Sequence, residues 1–180
     1  MAGILNQQGI ANFYDVASRK DFFRQNLFRV INFGGANFFE QDDLLYIESA
    51  TLPSKTINNV AVPYMGLSFN VPGTVQYPNS NNWSVTMRMP ADLSLRDKLE
   101  DWMSSIFDDR TSTGNYGIPA GSDGITTLLL LDKSGATLRT YDLYGCYLTN
   151  LGDMTLNVTT AGEIVTVPAT IAYQYWRVRY

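Results

Sequence analysis

Few side chains in this sequence could carry chemistry. The chain has 180 residues and no histidine, which removes the commonest general base and the commonest zinc ligand. A Ser-His-Asp or Cys-His arrangement is therefore impossible. The one cysteine, Cys146, can form neither an intrachain disulfide nor a thiolate metal cage. It reads as a small buried hydrophobe. Carboxylates remain, and a pair of them could run glycoside hydrolysis. The pairs Asp42-Asp43 and Asp108-Asp109 are adjacent, and adjacent residues of a strand point to opposite faces. Asp97, Glu100, Asp101, Asp108 and Asp109 gather along one segment and read as the solvated side of a helix. Asp132-Lys133-Ser134-Gly135 is hairpin chemistry. Neither a Gly-x-Gly-x-x-Gly fingerprint nor a Walker lysine loop occurs. The residues predict no catalytic, metal or cofactor site and argue against an enzyme.

Composition points to assembly. Lys plus Arg number 13 and Asp plus Glu 17, a net charge of -4 with the signs mixed along the chain. No basic block tracks nucleic-acid phosphates. Charged residues make up 17%, below the ~25% usual for a soluble domain. Apolar residues reach 45%, yet the longest obvious apolar run is Leu128 to Leu131, far short of a membrane helix. A surface so poor in charge can be satisfied by burial against copies of itself. The 3 Trp, 11 Tyr and 9 Phe read as core or interface. The first ten residues lack a positive n-region and an apolar h-region, so no signal peptide is expected and folding is placed in a cytoplasm.

The elements that must present this surface are mostly strands. The length suits a single domain over 1–180, with 1–24 a possible N-terminal arm. Phe13, Tyr14 and Val16, with Phe22 and Phe23, predict a short helix or arm that either docks on the body or a neighbour or stays a mobile terminus. A strand is predicted from Leu27 to Phe33, a hairpin turn at Gly34-Gly35, and a second extended segment from Asn37 to Leu52. Thr56 to Val62 follows, with a turn or bulge at Asn58-Asn59. Tyr64 to Val71 is extended, and Pro72-Gly73 marks a turn. These pieces predict long hairpins whose tips need not lie on the body. Trp83, Val85, Met87 and Met89 alternate with polar residues, the signature of a half-buried strand. The period then changes. Leu95, Leu99, Trp102, Met103 and Ile106 form one apolar stripe on a helix over 93–108, capped by Asp92 or Ser94, with Arg96 and Glu100 able to pair. Residues 110–124 form a long loop. The C-terminal third predicts a meander: Ile125 to Leu131, Thr137 to Leu148, an alternating Met154, Leu156, Val158 segment, a turn at Ala161-Gly162, and a last strand from Ile164 to Tyr175. Pro168 predicts a bulge or unpaired edge within it. The sum is a mainly β fold, a barrel or sandwich of about seven or more antiparallel strands with one flanking helix.

The order of these pieces resembles a known family. Arg24-Gln25-Asn26-Leu27-Phe28 opens the first strand, and Ala50-Thr51-Leu52-Pro53-Ser54 ends the second. Val62-Pro63-Tyr64-Met65-Gly66, Trp83-Ser84-Val85-Thr86 and Leu99-Glu100-Asp101-Trp102 follow. Tyr141 to Gly152 and Ile171 to Trp176 complete the set. Together, over about 24–176, they resemble the tail tube proteins of contractile-tailed bacteriophages. The resemblance implies hexameric rings whose inner strands continue as one barrel around a pore, stacked into a hollow tube. It implies a sheath around that tube, a tape measure protein in the lumen, baseplate and terminator proteins at its ends, and transient non-specific passage of double-stranded DNA into the bacterial host. It implies no cofactor and no stable membrane insertion of the subunit. A hairpin between the second and third strands reaches the adjacent ring in this family. That places candidate inter-ring contacts within Leu45 to Val62, at Leu45, Ile47, Ile57, Asn58, Asn59 and Val60. The N-terminal region and the 110–124 loop are further candidate ring contacts. Arg177 and Arg179 fall on an outer wall, at an interface or in solvent. A subunit that starts or ends the tube, or the tube protein of a phage-like injection device, shares these features. A carbohydrate-binding sandwich using Trp83 or Trp102 is the reading from a different class.

Overall fold

Alternating apolar residues need two faces to bury against each other, and the chain meets this need with two four-stranded sheets. The computed structural model describes residues 9–35, 38–159 and 162–180. In chain order the elements are α1 (Ile10–Arg19), β1 (Phe28–Asn32), β2 (Ile47–Ala50), β3 (Thr56–Tyr64), β4 (Leu67–Gln76), β5 (Trp83–Arg88) and α2 (Ser94–Ile106). Then come β6 (Phe107–Asp108), β7 (Thr113–Gly114), β8 (Ile125–Leu131), β9 (Thr137–Tyr144), β10 (Tyr147–Leu151), β11 (Thr166–Ala172) and β12 (Tyr175–Arg179). Short helical turns run over Asp43–Tyr46 and Gly121–Gly124. The first sheet has the order β1-β8-β9-β12 and the second β10-β11-β5-β2, with every pairing antiparallel.

The two sheets are linked where strands change sheet. Where one strand was expected from Thr137 to Leu148, Gly145 at φ 69° ends β9 and the chain restarts as β10 in the other sheet. The expected last strand from Ile164 to Tyr175 breaks likewise at Tyr173-Gln174, between β11 and β12. These corners touch, the Gln174 N–H donating to the Tyr144 carbonyl at 2.8 Å, and the first is also tied to the start of β8, the Cys146 N–H donating to the Gly124 carbonyl at 2.9 Å. Bends of this kind close two-sheet packings at their edges. Each sheet keeps two outer strands, so among the described residues the arrangement is two packed sheets and not a closed barrel.

The core lies between the sheets. Trp83, Val85 and Met87 of β5 and Val167, Ala169 and Ile171 of β11 are buried, facing Val30, Leu128 and Leu143 of the first sheet. Each fully buried side chain of this size contributes about 1.5–3 kcal/mol. Helix α2 adds Leu95, Leu99 and Trp102, all buried, while Met103 and Ile106 are half-buried against the same cluster. The helix starts where the Asp92 carboxylate accepts the Ser94 N–H at 3.2 Å and its hydroxyl at 2.9 Å. Those two bonds hold the Asp92 carboxyl below the usual range. Arg96 and Glu100 pair at 2.6 Å.

Several sequence expectations are corrected. Gly34-Gly35 is not a hairpin turn, because β1 pairs with β8 and not with the segment that follows. The two glycines admit close packing instead. A Cβ on Gly34 would stand 2.7 Å from the Cys146 Cβ, and one on Gly35, at φ 85°, 2.8 Å from the Trp102 indole nitrogen. The extended segment expected from Asn37 opens outside the described residues and is otherwise a loop, a helical turn and the short β2. Leu156 and Val158 are exposed outside any strand, and the expected turn at Ala161-Gly162 lies partly outside the described residues. The described residues form two α-helices in place of one, and no residue of α1 is buried.

Pro168 sits in the middle of the second sheet, with neither a bulge nor a free edge on the β5 side. In an antiparallel strand the N–H and C=O of one residue point the same way. The Pro168 carbonyl accepts the Gly152 N–H at 2.7 Å, so the donorless ring nitrogen also faces the place where β10 has ended. The irregularity falls in β10, between Leu148 and Asn150. A Cβ on Gly152 would meet the Pro168 Cγ at 2.5 Å and its carbonyl oxygen at 2.7 Å. Gly152→Ala is expected to cost about 1–3 kcal/mol through this overpacking. An unchanged denaturation midpoint would contradict the contact.

Candidate assembly surfaces

Among the described residues the hairpin β3–β4 is a long surface that packs on no other element. Nearly all of its residues are exposed, although β-branched and aromatic residues such as Val60, Val62, Tyr64, Phe69 and Val71 would ordinarily fill a core. No charged residue occurs between Lys55 and Arg88. Surface strands usually carry charge to prevent unwanted pairing, and this ribbon carries none.

Register sorts the two faces of this arm. Val60 pairs with Val71, Val62 with Phe69 and Tyr64 with Leu67. Strand periodicity puts these on one face, a continuous apolar stripe. Ala61 opposite Asn70, Pro63 opposite Ser68 and Asn59 opposite Pro72 make the more polar face. Near the root, Ile57 pairs with Val75 while Asn59 pairs with Pro72. Two steps on β3 thus face three on β4, a bulge that turns Val75 to the more polar side, opposite Ile57. The tip is Met65-Gly66, at φ 48° and 82°, as a two-residue hairpin turn requires. Pro63 and Pro72 each lack a donor on a ribbon edge and disfavour strand addition there. The apolar side-chain face stays exposed.

The root of the arm is pinned to the body. The Trp83 indole N–H donates to the Thr51 carbonyl at 2.7 Å, and that of Trp176 to the Ser54 carbonyl at 3.1 Å. Tyr77, just past β4, meets Tyr173 and Trp176 edge-on, each with ring centroids 6.5 Å apart. Trp83 is buried, so it fills core and is not a platform for a sugar ring.

The residues singled out from sequence are not one patch. Leu45 lies exposed in the turn Asp43–Tyr46, away from the hairpin, and Ile47 packs partly on the core from β2. Ile57, Asn58, Asn59 and Val60 lie in the root half of the arm. Val62 closes the range read from sequence, and Tyr64, Leu67, Phe69 and Val71 of the same face lie beyond it. Their period-two pattern is in the sequence, but the Pro72-Gly73 pair, which reads as a turn, lies inside β4. Residues 110–124 hold β7, which pairs with β6 just before them, and exposed Tyr116 and Ile118. On α1, Phe13 stacks on Phe22 with centroids 6.0 Å apart, and both stay exposed.

The titratable groups behave as structural parts. Among the described residues no group of three or more His, Cys, Asp or Glu could hold a metal ion. The Ser134 hydroxyl, then the Ala136 N–H, hold the Asp132 carboxyl low, as the Thr111 hydroxyl and Arg110 N–H do for Asp108. These are turn caps. Two clefts, of about 640 and 500 Å³, carry one carboxylate each, Asp123 and Glu48. No described helix is long and apolar enough to cross a membrane.

Burial pushes the Cys146 thiol up to about 11. The fold therefore holds the neutral form. The unfolded thiol ionises first, near its ordinary 9.0, so this stabilisation is intact below that pH and is lost as pH rises through the folded value. Wild type is expected to lose more stability between pH 8 and 10.5 than Cys146→Ala, by up to about 2 kcal/mol. Equal slopes of denaturation midpoint against pH would contradict the burial.

Comparison with known proteins agrees with a scaffold role. The family model described as phage tail tube protein matches residues 11–179. The tail tube protein gp19 of Enterobacteria phage T4 is 28% identical over 158 residues, covering 87% of this chain and 91% of that protein. That of Enterobacteria phage T6 is 27% identical over the same shares. Among solved structures, a chain of the sheath–tube complex of the PVC extracellular contractile injection system superposes with a TM-score of 0.59 at 16% identity, covering 92% of this chain and 96% of that one. A chain from the sheath/tube terminator of that system gives 0.60 at 17%, over 89% and 99%. These two share the fold. The chain belongs to the phage tail tube protein family, a structural, non-catalytic component of the virion's contractile tail.

Proposed function

We propose that this chain closes into hexameric rings, and that the rings stack into the hollow conduit through which double-stranded DNA passes into the bacterial host. The observation that carries the reading is the arm. It is uncharged, apolar on one face, fixed at its root and left exposed by the described residues. A structure that repeats head to tail needs such a projecting contact. Within a ring, the free outer strands β2 and β10 of the second sheet can pair between neighbours and continue that sheet around the pore. The arm then reaches the adjacent ring through Val60, Val62 and Tyr64 and their partners on β4. Ile57, Asn58 and Asn59 flank that contact at the root of the arm, Leu45 offers a separate exposed contact from the turn Asp43–Tyr46, and Ile47 supports β2 from the core. A sheath outside, a tape measure protein in the lumen, and baseplate and terminator proteins at the ends complete the proposed surroundings. The whole chain, 1–180, acts as one tube domain.

Native mass spectrometry of the purified chain tests the ring. Six chains and their multiples are expected, and a monomer at every concentration would contradict it. Copy number in intact particles separates a tube body, present in many rings, from a tube initiator or terminator, present in one or two.

A further inference from the structure

The two sides of the subunit carry opposite unpaired charge. On the first sheet Val30, Leu128 and Leu143 point to the core, so alternation turns Arg29, Asp142, Arg177 and Arg179 to the outer face. Register aligns Thr127, Asp142 and Arg177 across β8, β9 and β12, and places Arg29, Leu129, Thr140 and Arg179 in the next row. Asp142 is only 7% exposed, where an unpaired carboxylate would be costly. It accepts the Thr127 hydroxyl at 2.8 Å and an Arg179 N–H at 3.2 Å. The buried acid therefore fixes one guanidinium in place and leaves most of its five donors free. Arg29 and Arg177 form no ion pair among the described residues.

Helix α2 is the complement. Its own cations are already engaged, Arg96 with Glu100 and Lys98 with Asp43 at 2.6 Å. Asp97 and Asp101 stay exposed and form no ion pair among the described residues. Four helical residues separate them by about 6 Å along the axis. Two strand residues separate Arg177 from Arg179 by about 6.7 Å. The spacings match, and within one copy the two sets form no ion pair with each other.

We propose that the arginine face of β9 and β12 docks against the Asp97–Asp101 stripe of α2 on an adjacent copy, a heterologous contact that sets the orientation of neighbours. The inference rests on the assembly proposed above. Exposed pairs add little singly, but charges desolvated across an interface set partner orientation strongly.

Charge exchange tests it. Arg177→Glu and Asp101→Lys are each expected to raise the concentration needed for assembly at least about tenfold, and the combined variant to return within about threefold of wild type. The Asp101→Lys melting curve should match wild type, since Asp101 is exposed; Arg177→Glu sets a carboxylate opposite Asp142, so its assembly is compared at a temperature where its own melting curve shows it folded. As a second readout, carbodiimide treatment of an Arg177→Lys variant should link the introduced amine to Asp97 or Asp101 of another copy. Single variants that assemble normally, or a double variant no better than either single one, would overturn this contact while leaving the tube intact. Arg177→Glu tubes that form normally but no longer take up sheath would also overturn it, making an acidic sheath surface the partner. A wild-type chain that never assembles would overturn both this contact and the proposed function.

Discussion

Trp102→Ala is expected to destabilise the subunit by about 3–5 kcal/mol. The indole is 4% exposed and closes the gap between helix and sheets. Phe33 meets it edge-on with centroids 5.5 Å apart, and Phe39 at 5.7 Å. Gly35 lets the backbone approach so closely that a methyl group there would collide with the ring. Neighbours this tightly arranged cannot collapse into the space left behind, so most of the cavity cost persists. For a chain of this size the loss lowers Tm by roughly 6–20 °C. A Tm within about 2 °C of wild type, measured on unassembled protein, would show that Trp102 does not anchor the helix.

Removing the arm is expected to do the opposite: leave the fold and abolish stacking. Replacing residues 58–74 with a two-residue Asn-Gly turn between Ile57 and Val75 removes only residues that contribute nothing to the core cluster. Tm should shift by no more than about 2 °C. Rings should still form, and filaments should not. Phe69→Glu should act in the same direction, because it puts an unpaired charge in the middle of the apolar stripe opposite Val62. Filaments of normal length from the shortened chain would remove the arm from the stacking contact. A cooperative melt lost altogether would show that the arm belongs to the core.

What could be read in advance follows from which signals are local. The apolar spacing along α2 and the alternation of β5 are fixed by their own residues, and Leu99, Trp102, Trp83 and Val85 are buried in the structure. Sheet changes are not local. Alternation runs unbroken through Tyr144, Gly145 and Cys146, and again through Ile171, Tyr173 and Tyr175, because a strand can bend into another sheet without losing its period. The bend depends on Gly145 meeting the Gln174 side chain, a contact made far apart in sequence. The arm was legible as a projecting hairpin but not in its bounds. Met65-Gly66 lacks the Asn-Gly or Asp-Gly signature of a tight turn, while Pro72-Gly73 has turn chemistry and serves at a bulge. Leu156 and Val158 alternate without any partner strand among the described residues, so their pattern had nothing to pair with. The cationic face needed the register of four strands before Arg29, Arg177 and Arg179 could be seen as one surface.

Electron microscopy of the purified full-length chain at high concentration, alone and with a nucleating tube end, tests the central claim most directly. Hollow filaments built of evenly spaced six-membered rings, absent from the arm-shortened variant examined beside it, are the predicted result. Monomers alone under both conditions, or solid filaments without a pore, would contradict it.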